Sequence, residues 1–305
     1  MADVSNKGQD PAIRSGDDDS FGTDDTDQAL RIVRFFFDNS NEGATLLSQA
    51  SGCVGKDSNL PSWMPDVSGP KRARSGLNST VFQTAVVEKP HEAFASNGGR
   101  KLSIACALVP CACDGHNLIA ATTDVAKQDA AWLSALFQWR HVQGLWAAMR
   151  SPEGEPFTKY PDSDEPALEV IWETLRKGKQ NDAIPARLHG SMASAKAIFM
   201  ALVRDDMREV VTQHFESAKD AVDCLSDDLE GWKFCVMITG YMALVPEEAE
   251  VGDEILAVYG ARVPFVLRPV QGTDEYRLVG ECYVHGVMNG ELRSKKMSFR
   301  TRVLV

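Results

Sequence analysis

Val251-Gly-Asp-Glu-Ile-Leu-Ala-Val-Tyr-Gly260, Arg262-Val-Pro-Phe-Val-Leu-Arg268 and Tyr276-Arg-Leu-Val-Gly-Glu-Cys-Tyr-Val-His-Gly-Val-Met-Asn-Gly-Glu291 are the runs whose reading decides the fold. All three are apolar, and Gly252, Gly260, Gly272, Gly280, Gly286 and Gly290 punctuate them. Glycine at such intervals spells short strands joined by tight turns rather than a catalytic cleft. Working outward, strands are expected at 233–239, 254–259, 263–268 and 276–284, and in the alternation of Met297, Phe299, Thr301, Val303 and Val305. Short strands at near-regular spacing predict a strongly bent antiparallel sheet or small β-barrel over 232–305, with Pro264 at an edge or a strand start.

Upstream the period changes. Ala29, Ile32, Val33, Phe36 and Phe37 make a helical stripe behind Asp27, predicting a helix over 28–39. Leu60-Pro-Ser-Trp-Met-Pro-Asp66 reads as a rigid loop, because two prolines fix its path and Trp63 needs a buried seat. The basic stretch around Lys71, Arg72 and Arg74 reads as an exposed loop. Strands are expected at 81–87 and 102–109 around the Asn97-Gly-Gly99 turn signal. Trp132, Leu136, Trp139, Val142, Trp146 and Met149 recur at helical steps over 124–149 and read as core. After a Pro- and acid-rich loop at 151–166, Leu168, Ile171, Trp172 and Leu175 predict a short helix ended by Gly178. One longer helix is expected over 191–215, with Phe199, Val203, Met207, Val210 and Val211 inward and His214 at the stripe edge. The whole is an α+β chain: a disordered acidic tail at 1–26, a mainly helical region with two or three strands at 27–231, and the β-rich region at 232–305 packed with it as one unit.

At 305 residues the chain can bury a core without a disulfide or metal staple. Its net charge of −11 argues against nucleic acid and anionic membranes as partners. No apolar run approaches the roughly 20 residues of a membrane span. Seven cysteines, an odd number set in apolar stretches, point to a reducing cytoplasmic setting.

The strongest metal-like pattern is Cys106, Cys111, Cys113 and His116, four candidate Zn²⁺ ligands within eleven positions. The spacing lacks the Cys-x2-Cys of common knuckles, and buried cysteine behaves as a small hydrophobe, so packing outweighs ligation. No nucleophile motif, phosphate loop or dinucleotide fingerprint is spelled out, so neither enzymatic activity nor a cofactor is expected. His285, at a strand end beside Glu281 and Gly286, is the histidine to test first.

Three ordered segments resemble fungal heterokaryon-incompatibility (HET domain) proteins. Leu60-Pro-Ser-Trp-Met-Pro-Asp66, with Trp63, Pro65 and Asp66, is similar to the family's Leu-Pro-Ser-Trp-Val-Pro-Asp-Trp, and Ile171-Trp172-Glu-Thr-Leu175 to its Phe-Trp-Arg-Thr-Leu. The last block carries the C-terminal signature through Gly252, Asp253, Gly260, Pro264, Arg268, Gly280, Glu281, Tyr283, His285, Gly286, Gly290 and Glu291. The resemblance is to the region that follows the HET domain, since nothing here matches the family's Trp-Ile-Asp and Cys-Ile-Asn-Gln strings. Tyr241-Met-Ala-Leu-Val-Pro246 stands where relatives carry a Gly-Leu-Gly-Pro turn, and Val67 replaces a Trp. The resemblance implies vegetative incompatibility and cell death through protein partners, with no catalytic residue to carry over. Physically, Arg268 and Glu281 are expected to pair, and Tyr283 and His285 to be exposed contacts of the sheet. Two alternatives stand: a small-molecule or enzymatic pocket between the Trp-rich helix and the sheet, and a structural zinc protein.

Overall fold

The computed structural model describes residues 43–50, 61–65, 94–97, 100–109, 118–124, 159–179, 185–201, 207–294 and 299–305, together with positions 31, 35, 77 and 82 and most of 140–148. The acidic start at 1–26, most of the expected helix at 28–39 and nearly all of the expected strand at 81–87 fall outside them; Arg31 and Phe35 are helical.

In chain order the named elements are α1 (Gly43–Gln49), β1 (Phe94–Asn97), β2 (Lys101–Leu108), β3 (Ile119–Asp124), α2 (Ala167–Leu175), α3 (His189–Ala201), α4 (Met207–Leu229), β4 (Trp232–Met237), β5 (Met242–Pro246), β6 (Glu254–Val258), β7 (Phe265–Pro269), β8 (Glu275–Glu281), β9 (Tyr283–Val284) and β10 (Arg300–Leu304). The fold is α+β, as expected, with a small β-barrel. Strands run β2-β10-β8-β7-β6 and close through a β2–β6 pairing, while β1 extends the sheet from β2. The barrel is mixed, because β10 runs parallel to β8 and antiparallel to β2. The last strand inserts between two others instead of extending a meander. β2 is long enough to serve two partners on one edge: residues 101–104 pair with β1 and 106–108 with β6.

The register shows which side chains fill the barrel. Leu102, Ile104 and Cys106 are buried and alternate with the less covered Ser103 and Ala105. Their level partners Leu304 and Arg302 share that inward face, and Arg300 continues it to an exposed end. Around the ring the same face carries Val258, Leu256 and Glu254, then Leu267, Leu278 and Tyr276. One end is plugged by the expected docked loop. Trp63 is fully buried, its Nε1 donates to the Arg100 carbonyl at 3.2 Å, and the Ser62 N–H donates to the Val305 carbonyl at 3.0 Å. The Leu278 N–H reaches the Ser62 hydroxyl at 2.9 Å, so this loop ties β8 to β10.

A second, antiparallel sheet runs β3-β4-β5-β9. Residues 234–237 of β4 and all of β5 are buried, which explains their continuous apolar spelling. Met242–Pro246, in the stretch that stands where relatives carry a turn, is therefore a core strand, and the turn is made by Gly240 at φ 83°. α2 packs on β5, burying Val170, Ile171, Trp172 and Leu175. The single helix expected over 191–215 is two helices, α3 and α4. They run antiparallel, since Ser191 meets Ala221 and Ser194 meets His214 and Ser217. Trp172 lies 5.4 Å from Phe199 of α3, tying α2 to that hairpin. Val142 and Trp146 join the same core, whereas Trp132 and Trp139 lie outside the described residues. Among the described residues no helix is long and apolar enough to cross a membrane.

The two sheets are fused at a corner. Only Cys282 separates β8 of the barrel from β9 of the second sheet, and the Ile119 N–H donates to the Asp253 carbonyl at 2.9 Å. Asp253 then takes Arg268 in a fork, Nε to Oδ1 at 2.8 Å and NH2 to Oδ2 at 2.9 Å. Its Oδ2 also accepts the Glu250 N–H at 2.9 Å, across a turn in which Gly252 sits at φ 98°. Arg268 thus pairs with Asp253, and with Glu250 at 3.1 Å, not with Glu281 as expected. The Arg268–Arg277 pairing places it on the outer wall, and Glu281 accepts the Leu77 N–H at 2.6 Å.

Candidate functional site

A cluster of polar side chains lies where the strap 159–166 crosses the second sheet. The strap closes on itself through the Tyr160 N–H to the Glu165 carbonyl at 3.0 Å and the Ser163 N–H to the Tyr160 carbonyl at 3.2 Å. Asp162 takes φ 57°, a left-handed conformation that Asp tolerates. The loop folds this way because Pro161 and Asp162 suit a tight turn, leaving Tyr160 to anchor it.

Tyr160 is buried between β5 and β9. Its hydroxyl donates to the His285 carbonyl at 2.8 Å and accepts the Met242 N–H at 3.3 Å. Burial holds its phenol well above the usual tyrosine range. Beside it the Tyr241 hydroxyl donates to the Asp162 carboxylate at 2.5 Å; burial first and that hydrogen bond second push the Tyr241 phenol up. The Tyr160 ring meets both the Tyr241 and His285 rings edge-on at 5.2 Å.

His285 is held from both ring nitrogens. Nε2 lies 3.2 Å from Glu165 Oε2, and Nδ1 makes a long 3.4 Å contact with the Tyr283 hydroxyl. Phenol, imidazole and carboxylate in series are the parts of a nucleophile, base and orienter. The phenol, however, is sealed. Tyr283 is 3% exposed, and a Cβ placed on Gly178 would fall 2.6 Å from its hydroxyl oxygen. Gly178 is at φ 62°, so the helix-ending glycine read from the sequence also makes room for Tyr283. Burial, then the nearby Glu173, Glu291 and Glu165 carboxylates, push the Tyr283 phenol up, so it stays protonated. Tyr283, expected at the surface, is therefore core, and the His285 side chain is only 13% exposed against 52% for Glu165. The trio locks the strap to β9.

On the other side of Gly178 the C-termini of α2 and α4 converge. Their carbonyl ends favour cations, and Lys177 supplies one. Its Nζ donates to the Asp228 carbonyl at 2.6 Å and lies 4.5 Å over the Trp232 ring. Burial pushes the Lys177 amine down to about 8. Arg176 reaches Glu173 at 3.1 Å and Lys179 pairs with Asp228, completing a charged seam that shares one turn of chain with the Tyr283 seat.

The remaining sequence candidates are dispersed. Cys106 lies inside the barrel with its thiol 3.6 Å from the Arg300 carbonyl, pushed up to about 12 chiefly by burial. Cys111, Cys113, His116 and Asp66 lie outside the described residues. Among the described residues no group of three or more His, Cys, Asp or Glu could hold a metal ion. Trp63, Pro65, Trp172 and Pro264 serve packing, with Pro264 at the start of β7. Gly260 and Gly290 take positive φ in turns, Gly286 lies against the Tyr160 ring, and Glu291 accepts the Asn289 N–H at 2.6 Å. Gly280 faces Val266 at a β-bulge of the barrel. Sequence reading missed Tyr160, Asp162, Glu165, Lys177 and Tyr241. Tyr160-Pro-Asp162 signalled a turn, but nothing local named its partners 125 positions away.

Residues 154–300 match the family model of the Het-6 beta-barrel domain. Over 66 residues the chain is 36% identical to heterokaryon incompatibility protein 6, OR allele, of Neurospora crassa. That stretch is 21% of this chain and 10% of the relative's length. No solved structure matches.

Proposed function

We propose, from the match of residues 154–300 to the Het-6 beta-barrel domain and the short similarity to a heterokaryon incompatibility protein, that this chain is a fungal heterokaryon-incompatibility protein and a non-catalytic module of non-self recognition acting through protein contacts in the cytoplasm, with cell death as the outcome of recognition. The observation that carries the reading is the closed Tyr283–His285–Glu165 series: its phenol is covered by Gly178 and held protonated, so the groups best placed for chemistry are used as a lock. A strap locked in place with the exposed Glu165 at its rim suits a surface that another protein reads.

The test is a forced heterokaryon between a fungal strain expressing this chain and a strain lacking it, scored for survival of fusion cells. Expression should reduce survival, and Tyr283→Phe, which keeps the ring and removes the phenolic proton, should reduce it equally. A Tyr283→Phe chain that melts like the native protein yet has no effect on survival would place chemistry at this site and overturn the proposal.

A further inference from the structure

Two arginines of the barrel, one on its outer wall and one in its interior, are used in opposite ways. Arg268, on the outer wall, is spent: both edges of its guanidinium are engaged by Asp253, Glu250 and the Glu248 carbonyl at 2.6–3.1 Å. Arg302 is level with Ile104 and so faces inward. Its guanidinium carbon lies over the Tyr276 ring, 4.8 Å from the centroid, and it has one distant contact, NH2 to Glu254 Oε2 at 3.5 Å. Among the described residues its buried Nε has no acceptor.

An arginine–carboxylate pair built for stability forks at 2.7–2.9 Å, because only short paired hydrogen bonds offset the desolvation of both ions. Arg302 instead sits over an aromatic ring and, among the described residues, makes only one long hydrogen bond and leaves its Nε without an acceptor. Two residues earlier on the same inward face, Arg300 begins β10, exposed and without an ion pair among the described residues. Side chains two apart on one strand stand about 7 Å from each other, close enough to converge on one anion. The end of the barrel they face is formed by the end of β2, the starts of β6, β8 and β10 and the end of β7, and is opposite the end plugged by Trp63. In a chain of net charge −11, residues 292–305 hold five cations (Arg293, Lys295, Lys296, Arg300 and Arg302) and no acid.

We propose that this mouth of the barrel, with Arg300 and Arg302 as its donors and Tyr276 as the platform that orients Arg302, binds a small phosphate-bearing ligand. Phosphate fits better than a carboxylate because it presents several oxygens to two forks and matches their combined charge. Glu254 is the internal counter-ion that the ligand displaces, which makes the site weaker than two free arginines would be and gives it a distinctive signature. The proposal is independent of the recognition function argued above.

The test is calorimetric titration of the full chain with inorganic pyrophosphate at constant ionic strength, with citrate as the carboxylate arm. Saturable binding in the range of about 0.1–10 mM is expected. Arg300→Gln should weaken it about tenfold, and the charge-neutral pair Arg302→Gln/Glu254→Gln should abolish it, whereas Glu254→Gln alone should tighten it several-fold, roughly the worth of one charge-assisted contact. A purely structural ion pair predicts no tightening in Glu254→Gln. Should the paired variant fail to fold, Arg300→Gln, whose side chain is exposed, decides alone. No saturable binding to either the native chain or Glu254→Gln overturns the proposal, as does unchanged binding by Arg300→Gln. Tighter binding of citrate than of pyrophosphate overturns the ligand class.

Discussion

The four-stranded sheet and the barrel solve burial differently. β4 and β5 are covered by α2 and neighbouring elements, and polar side chains gather beside them, where Tyr160 of the strap meets Tyr241 and His285 and the buried Tyr283 reaches His285. The barrel admits charge to its wall and interior through Arg268–Asp253 and Arg302–Glu254. Apolar strands buried on both faces give stability but little chemistry, and charges held by a barrel give chemistry at a cost in stability. The sheet should therefore be the mechanical centre of the molecule and the barrel mouth its adaptable part.

The largest effect should come from the sheet. Phe234 is fully buried at its centre, and Phe234→Ala should cost about 3–5 kcal/mol in urea unfolding, the usual range for emptying an aromatic core site. Arg302→Gln/Glu254→Gln, which replaces a partly buried pair by a neutral one, should stay within about 1 kcal/mol of native or exceed it. Equal losses from the two changes would erase the contrast. Next comes the join between sheet and helix α2. Gly178→Ala sets a side chain at φ 62° against the Tyr283 hydroxyl and should destabilise by about 2–3 kcal/mol. In the double variant with Tyr283→Phe the loss should be less than the sum of the two singles, because the closest atom is gone. Simple additivity would mean that strain at Gly178, rather than contact with Tyr283, sets the cost.

Legibility followed the range of the interaction. β6, β7 and β8 were readable because their apolar runs end at glycines that the turns need, and α2 because Ile171, Trp172 and Leu175 mark one face. β3 was not, since Ile119-Ala-Ala-Thr-Thr-Asp124 has one strongly apolar residue and owes its place to pairing with β4. β5 was hidden because full burial erases alternation and the relatives' glycine-rich spelling suggested a turn. The parallel seating of β10 beside β8 leaves no trace in spacing at all. In the candidate site the signature residues Tyr283 and His285 stood out, but their exposure was misjudged: a strand-end tyrosine looks solvated until Gly178, 105 positions earlier, is seen to cover it.

Two smaller effects sharpen the comparison. Arg268→Lys keeps the charge of the barrel corner and loses the fork, which should cost about 1 kcal/mol in chemical unfolding; a loss near that of Phe234→Ala would make the corner, not the sheet, the mechanical centre. At the helix seam the lever is pH. The folded Lys177 amine lies near 8, below its unfolded value of 10.5, so between those two values the unfolded chain holds a proton that the folded chain has released. Stability from this group must then rise with pH across that window, with a limiting slope of about 1.4 kcal/mol per unit, and be lowest below 8 where both states are charged. Lys177→Met keeps the length of the stem and removes the titration, so the native chain should gain on it between pH 8 and 9.5 in paired urea midpoints. A constant difference would mean that Lys177 stays charged in the fold, with the Asp228 carbonyl and the Trp232 ring compensating its burial in full.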